Sequence, residues 1–243
     1  MSKDRGATMT VLQHLAELRH RLITAGAIFL AASIASFIAA APIRHFLTRP
    51  AGGLRLVYFS PPEALTAQLK LALLAGLVIA SPFILYELIA FIYPALTPLE
   101  KKVLLQTLAG IVLLFCGGVT FAYLVLFPQV LHFLLDYAGS GAVPKLAISE
   151  YISFFFSFHF FFGAIFQLPL LAWALGRLDL MRPHLLRRGR KLAILIILIL
   201  AAILTPPDPL TQIALALPLL LLYELCILMV AVGYRVRRKE MAL

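Results

Sequence analysis

Charge is scarce in this chain. Of its 243 residues only 13% are Asp, Glu, Lys or Arg, 62% are apolar, and mean hydropathy is +0.98. A water-soluble domain carries about 25% charge and 45–50% apolar residues, so an ordinary soluble fold is excluded. Cysteine is nearly absent: Cys116 and Cys226 both lie in apolar runs, which indicates neither a disulfide framework nor a zinc knuckle. Acids are few, eleven against twenty-one Lys and Arg, for a formal charge of +10. In a membrane chain that excess reports orientation and contact with anionic headgroups rather than nucleic acid. No HExxH, GxSxG or Walker A segment appears, so no enzyme, metal site or cofactor is expected.

What is present is a series of apolar runs. A helix needs about 20 such residues to cross a bilayer, and runs of that kind occupy roughly 22–41, 70–93, 103–127 and 152–176. A further stretch is interrupted by Thr205-Pro206-Pro207-Asp208-Pro209. Three prolines cannot continue a helix, which leaves two short spans, about 192–204 and 210–232. The expected fold is an all-α membrane protein of six transmembrane helices, one polytopic domain over residues 1–243. Ala39-Ala40-Ala41 resembles a signal-peptidase site, but the first run is longer than a signal core and follows some twenty polar or amphipathic residues. Alternate segments between the spans hold sixteen Lys and Arg on one side and four on the other. The positive-inside rule then puts both termini, Arg187 and Arg238 in the cytoplasm, and Arg55 and Lys145 outside.

Around the spans, residues 10–22 read as an amphipathic helix at headgroup level, turning afterwards into the first span. Thr10 and Gln13 have capping-box spacing. Val11, Leu15, Leu18 and Leu22 form one stripe, and Gln13, His14, Glu17, His20 and Arg21 the other. His14 and His20 stand about 120° apart on that helix and cannot share a metal ion. Ser60-Pro61-Pro62-Glu63 is a helix start that makes the second span longer than the bilayer. A short outer helix is expected over 128–138, a loop break at Gly139-Ser140-Gly141, and kinks at Pro82, Pro169 and Pro218. The Phe-rich stretch 154–166 reads as core packing or lipid contact, with His159 bonded to a backbone carbonyl. No internal repeat is visible.

The acids carry the functional argument. Asp4, Glu17, Glu100, Asp179 and Glu240 fall on the cytoplasmic side. Glu17 has Arg21 at i,i+4 and Glu100 has Lys101 and Lys102 beside it, which is the solvated-surface reading of both. Three polar residues lie deeper: Glu87 about 9 Å, Glu224 about 12 Å and Gln167 about 14 Å from the cytoplasmic end of their spans. No Lys or Arg lies mid-span to pair with them. A charge at the bilayer centre costs roughly 2.5–3.5 kcal/mol on insertion scales, so such groups face protein or water. From these residues alone, a small proton-coupled transporter using Glu87 or Glu224 and a ligand-free membrane scaffold both stay open.

Five segments in order then carry a resemblance. His14-Leu15-Ala16-Glu17-Leu18-Arg19-His20-Arg21-Leu22 is followed by Ser60-Pro61-Pro62-Glu63-Ala64 and by Ala90-Phe91-Ile92-Tyr93-Pro94-Ala95-Leu96 with Glu100. Phe162-Gly163-Ala164-Ile165-Phe166-Gln167-Leu168-Pro169 comes next, then Leu204-Thr205-Pro206-Pro207-Asp208 with Tyr223-Glu224. Together they resemble the TatC family, the receptor component of twin-arginine protein translocation. The resemblance implies a prokaryotic cytoplasmic membrane, transport of folded proteins driven by the proton-motive force, and a concave, cup-like bundle. It implies that Glu17, Arg19, Phe91 and Glu100 belong to a cytoplasmic surface that receives signal peptides bearing two consecutive arginines. It further implies self-association and TatA- and TatB-type single-span partners, docked along the fifth and sixth spans where Thr205, Pro206, Pro207, Asp208 and Gln212 lie. Glu87, Glu224 and Gln167 are then expected on the concave face. The family often has glutamate where this chain has Gln167.

Overall fold

The computed structural model describes residues 11–51, 56–93, 97–136, 146–204 and 209–241. Expectations resting on Asp4, Thr10, Arg55, the 139–141 break, Lys145 and the 205–208 turn lie outside the described residues. Within them the chain is helical apart from one short β pair.

Helix α1 (Val11–Ile38) takes the amphipathic segment and the first span together. The expected turn between them is absent because no Gly or Pro lies between residues 11 and 25. Thr24 and Ser33 return their hydroxyls to the carbonyls of His20 and Phe29 within the helix. Pro42 has no N–H for the carbonyl of Ile38, and α1 ends there. A second helix that the sequence did not announce, α2 (Ala40–Thr48), follows at once. It is fastened to the core by Tyr151 Oη on the Leu47 carbonyl (2.5 Å) and by Phe46 stacked on Tyr123 (4.4 Å). Strands β1 (Leu56–Val57) and β2 (Leu146–Ala147) then pair in parallel, Leu56 with Leu146.

Helix α3 (Pro61–Ile92) is the expected over-length helix. Its start is closed by Glu63, whose carboxylate accepts from the Phe59 amide at 2.7 Å. Pro82 sits inside it, and the carbonyl of Val78 that loses its amide donor there receives the Ser81 hydroxyl instead (2.7 Å). Helices α4 (Pro98–Phe121) and α5 (Phe127–Asp136) are joined by a π-helical turn over Ala122–Leu126. The outer helix expected at 128–138 is therefore an extension of the third span. Pro128 lacks an amide proton, and the widened turn takes up the mismatch without ending the helix.

The fourth span breaks into α6 (Ile148–Ile165) and α7 (Leu168–Arg177) ahead of Pro169. Short α8 (Pro183–Arg188) leads to α9 (Arg190–Leu204) and α10 (Pro209–Met241), with Pro218 carried inside the last. Among the described residues, five helical stretches are long and apolar enough to cross a membrane: Leu12–Ile38, Pro61–Phe91, Leu99–Phe133, Ile148–Arg177 and Thr211–Arg238. The expected fifth span, α9, has 15 residues, roughly 22 Å of rise against a hydrocarbon core of about 30 Å.

The Phe-rich stretch is core packing. Phe158 and Phe162 are buried beside Phe127, and His159 bonds through Nδ1 to the Phe155 carbonyl at 2.6 Å, as expected. Arg177, counted as a loop charge, is instead 2% exposed. Helices α7 and α10 cross closely because both are glycine at the contact. A Cβ at Gly176 would meet the Val230 carbonyl at 2.5 Å, and one at Gly233 would collide with the Trp173 carbonyl.

Candidate functional site

Helices α1 and α3 run antiparallel: Ser33 touches Gly76, and nearer the start of α1, Arg21 reaches Glu87. Their shared end carries the densest charge cluster. Arg21 donates from Nη1 to Glu87 Oε2 (2.8 Å), and from Nη2 and Nε to a single oxygen of Glu17, Oε1 (3.1 and 3.2 Å). The three side chains are only 27, 15 and 18% exposed. Glu17 Oε2 is buried with no hydrogen-bond partner. The pairing of Glu17 with Arg21 follows the i,i+4 reading. The expectation that Glu87 had no basic partner is corrected: an arginine ten residues into α1 reaches it, because α1 runs unbroken from Val11 through the first span.

Glu17 and Arg21 line a cavity of about 360 Å³ walled by Tyr86 of α3, by Tyr93 just past the end of that helix, and by Leu104 and Leu108 of α4. On the other side of Arg21, a recess of about 110 Å³ is bounded by Glu87 and Phe91. Phe91 also stacks on His14 at 4.4 Å, tying it to α1. Glu100 lies one helical turn before Leu104 on the same side of α4. It closes a capping box with Thr97: its Oε2 accepts from the Thr97 amide (2.7 Å) and hydroxyl (2.8 Å). Lys101 stands over the Tyr93 ring at 5.0 Å. Arg19 is exposed on α1. Glu17 and Phe91 are thus joined through α1, whereas Glu100 is engaged with its own helix start.

Glu224 also has a partner that the sequence did not reveal. Arg190, the first residue of α9, donates to its Oε2 at 2.8 Å, both side chains half-exposed. Nearby, Tyr223 Oη donates to the Leu186 carbonyl (2.6 Å). Farther along α9, Gln212 Nε2 donates to the Leu198 carbonyl (3.0 Å). Gln167 lies at the α6–α7 break. Its Nε2 donates across to the Ile111 carbonyl of α4 (3.0 Å) and to the Gly163 carbonyl (3.4 Å), and its Oε1 is buried without a partner. The signal for Arg21 was present in the sequence as the i,i+4 spacing. The link to Glu87, 66 residues away, was not.

A bundle of helices long and apolar enough to cross a bilayer, with an ion-paired, aromatic-walled cavity between α1, α3 and α4, defines a polytopic membrane protein. Residues 13–218 match the family described as Sec-independent protein translocase protein (TatC). The TatC of Carboxydothermus hydrogenoformans is 37% identical over 90% of this chain and 91% of its own length. That of Aquifex aeolicus is also 37% identical, over 96% and 98%, and TatCy of Bacillus subtilis is 36% identical, over 100% and 96%. A crystal structure described as the twin arginine translocase receptor TatC superposes with a TM-score of 0.75 at 36% identity, covering 90% of this chain and 99% of that one. The chain belongs to the TatC family. It is a membrane component of protein transport and not an enzyme.

Proposed function

We propose that this chain is the receptor and core subunit of a twin-arginine translocase, binding signal peptides with two consecutive arginines and organising TatA- and TatB-type single-span partners for export of folded proteins. The observation that carries the reading is Glu17: a carboxylate 18% exposed, with one oxygen unpartnered, lining an aromatic-walled cavity in a chain of net charge +10. A guanidinium fits such an acceptor through charge-assisted hydrogen bonds and through stacking on Tyr86 or Tyr93. Arg19, Phe91 and Glu100 complete the peptide surface, and the cationic surroundings disfavour wrongly placed basic segments. In this reading α9 is a short fifth span that brings the total to six, both termini are cytoplasmic, and the host membrane is the prokaryotic cytoplasmic membrane. Gln212 and the 205–208 turn form the partner edge, and the subunits self-associate.

A proton-carrying transporter is a weaker reading, because Glu87 and Glu224 are both ion-paired. The test is binding of a twin-arginine peptide, and of its twin-lysine version, to the purified chain in lipid nanodiscs. Binding of the first and not the second supports the receptor reading. Equal or absent binding of both rejects it.

A further inference from the structure

We infer that Glu87 keeps Glu17 open to an incoming guanidinium by holding Arg21, so that the receptor carboxylate is not neutralised by its own helix. The inference rests on the reading above that Glu17 receives a signal-peptide arginine. It adds a positioning residue, Glu87, that contributes no contact to the peptide.

A glutamate and an arginine at i,i+4 form an ion pair without outside help. Guanidinium–carboxylate pairs frequently close a fork in which both carboxylate oxygens are used. Glu17 and Arg21 do not do this. Arg21 turns Nη1 to Glu87, its shortest bond at 2.8 Å, and offers Nε and Nη2 to the same oxygen, Glu17 Oε1, at 3.2 and 3.1 Å. The second oxygen, Oε2, is left buried and unpartnered. An unmet acceptor of this kind is unfavourable until a donor arrives, and the residue that carries it borders the cavity walled by Tyr86 and Tyr93.

The charge balance agrees with the geometry. Two carboxylates and one guanidinium leave the cluster one negative charge, which one arginine of a ligand neutralises. Without Glu87 the Glu17–Arg21 pair is already neutral. Exposed Arg19 on α1 and Lys101 over Tyr93 add positive charge around that pair, and the nearby Glu100 carboxylate is engaged with Thr97. Glu87 in this chain therefore sets whether Glu17 is an acceptor or half of a closed pair. Arg21, standing between the two cavities that hold Glu17 and Glu87, is the group whose charge Glu87 occupies.

The experiment uses the full chain in lipid nanodiscs with a fluorescent twin-arginine peptide, followed by anisotropy. Glu87→Gln keeps size and a hydrogen-bond acceptor but removes the charge; it is expected to weaken binding about tenfold, the lower end for one hydrogen bond to a charged group. Glu87→Asp restores the charge and is expected to restore affinity, which a packing role does not require of a shorter side chain. The double variant Glu87→Gln with Arg21→Gln again leaves Glu17 with one net negative charge and is expected to recover binding. Wild-type affinity in Glu87→Gln overturns the inference. So does a double variant as weak as the single, because Arg21 is then not the group that Glu87 withholds. A folded wild-type chain that binds no twin-arginine peptide removes the receptor reading itself, and this inference with it; that result is distinct from the other two.

Discussion

The two surface glutamates marked by sequence occupy different chemical positions. Glu17 has one oxygen on Arg21 and one without a partner, whereas Glu100 spends its carboxylate on the Thr97 amide and hydroxyl. Alanine at Glu100 therefore removes the N3 half of the capping box as well as a charge. Glutamine serves equally well in the capping box and separates the two effects. Glu17→Ala and Glu100→Gln are each expected to lower twin-arginine affinity by roughly tenfold with an unchanged melting temperature, Arg21 remaining paired to Glu87 in the first. If Glu100→Gln binds as wild type while Glu100→Ala melts earlier, Glu100 is a cap and nothing more. Gln167 poses a parallel question. Its amide crosses from the α6–α7 break to the Ile111 carbonyl, a bond that leucine cannot make and that a carboxyl kept neutral by desolvation can. Export measured in cells at matched protein levels is expected to survive Gln167→Glu and to fail in Gln167→Leu. Full activity of the leucine variant would reduce Gln167 to packing.

Among the elements, what could be read from sequence was what local composition decides. The apolar runs, the over-length second helix opening at Pro61 and the break before Pro169 all follow from hydrophobic length and proline. What could not be read depends on residues far apart. Helix α2 and the Leu56–Leu146 pairing rest on contacts from Tyr151, Tyr123 and β2, and the partners of Glu87 and Glu224 lie 66 and 34 residues away. Two boundaries failed for a local reason that was present but underweighted: no breaker separates the amphipathic start of α1 from its span, and Pro128 widens a helix rather than ending it. Helix α9 is the element with the sharpest test. It is held to α10 by Arg190–Glu224 near one end and Gln212–Leu198 farther along, so its length is matched to two fixed points. Three leucines inserted within 196–200 rotate the distal half by about 300° and lengthen it by about 4.5 Å, breaking at least one tie. Site-specific crosslinking to single-span partners and export are both expected to be lost. Retention of both would mean that the shortness of α9 has no part in docking.

For the molecule as a whole, polarity is distributed by end. The Glu17–Arg21–Glu87 cluster and the Arg190–Glu224 pair gather with the termini of α1, α3, α9 and α10 at one end. The other end is closed by α2, the β pair and tyrosine hydroxyls on backbone carbonyls. The sequence divides Lys and Arg sixteen to four between alternate segments. Cationic loops are retained on the cytoplasmic side during insertion, so the ion-paired end, and with it the cavity beside Glu17, is expected to face the cytoplasm, where a signal peptide is presented before transport. The measurement is labelling of single cysteines with a membrane-impermeant maleimide in intact cells. Both native thiols, exposed Cys116 and buried Cys226, must first be replaced, by serine and alanine respectively, with export checked in that background. Cysteines at 55 and 145 should then label from outside, and cysteines at 187 and 238 only after the membrane is opened. Labelling of 187 from outside would invert the orientation and leave the Glu17 cavity on the side where no cargo arrives, so this single position tests the topology and the receptor geometry together.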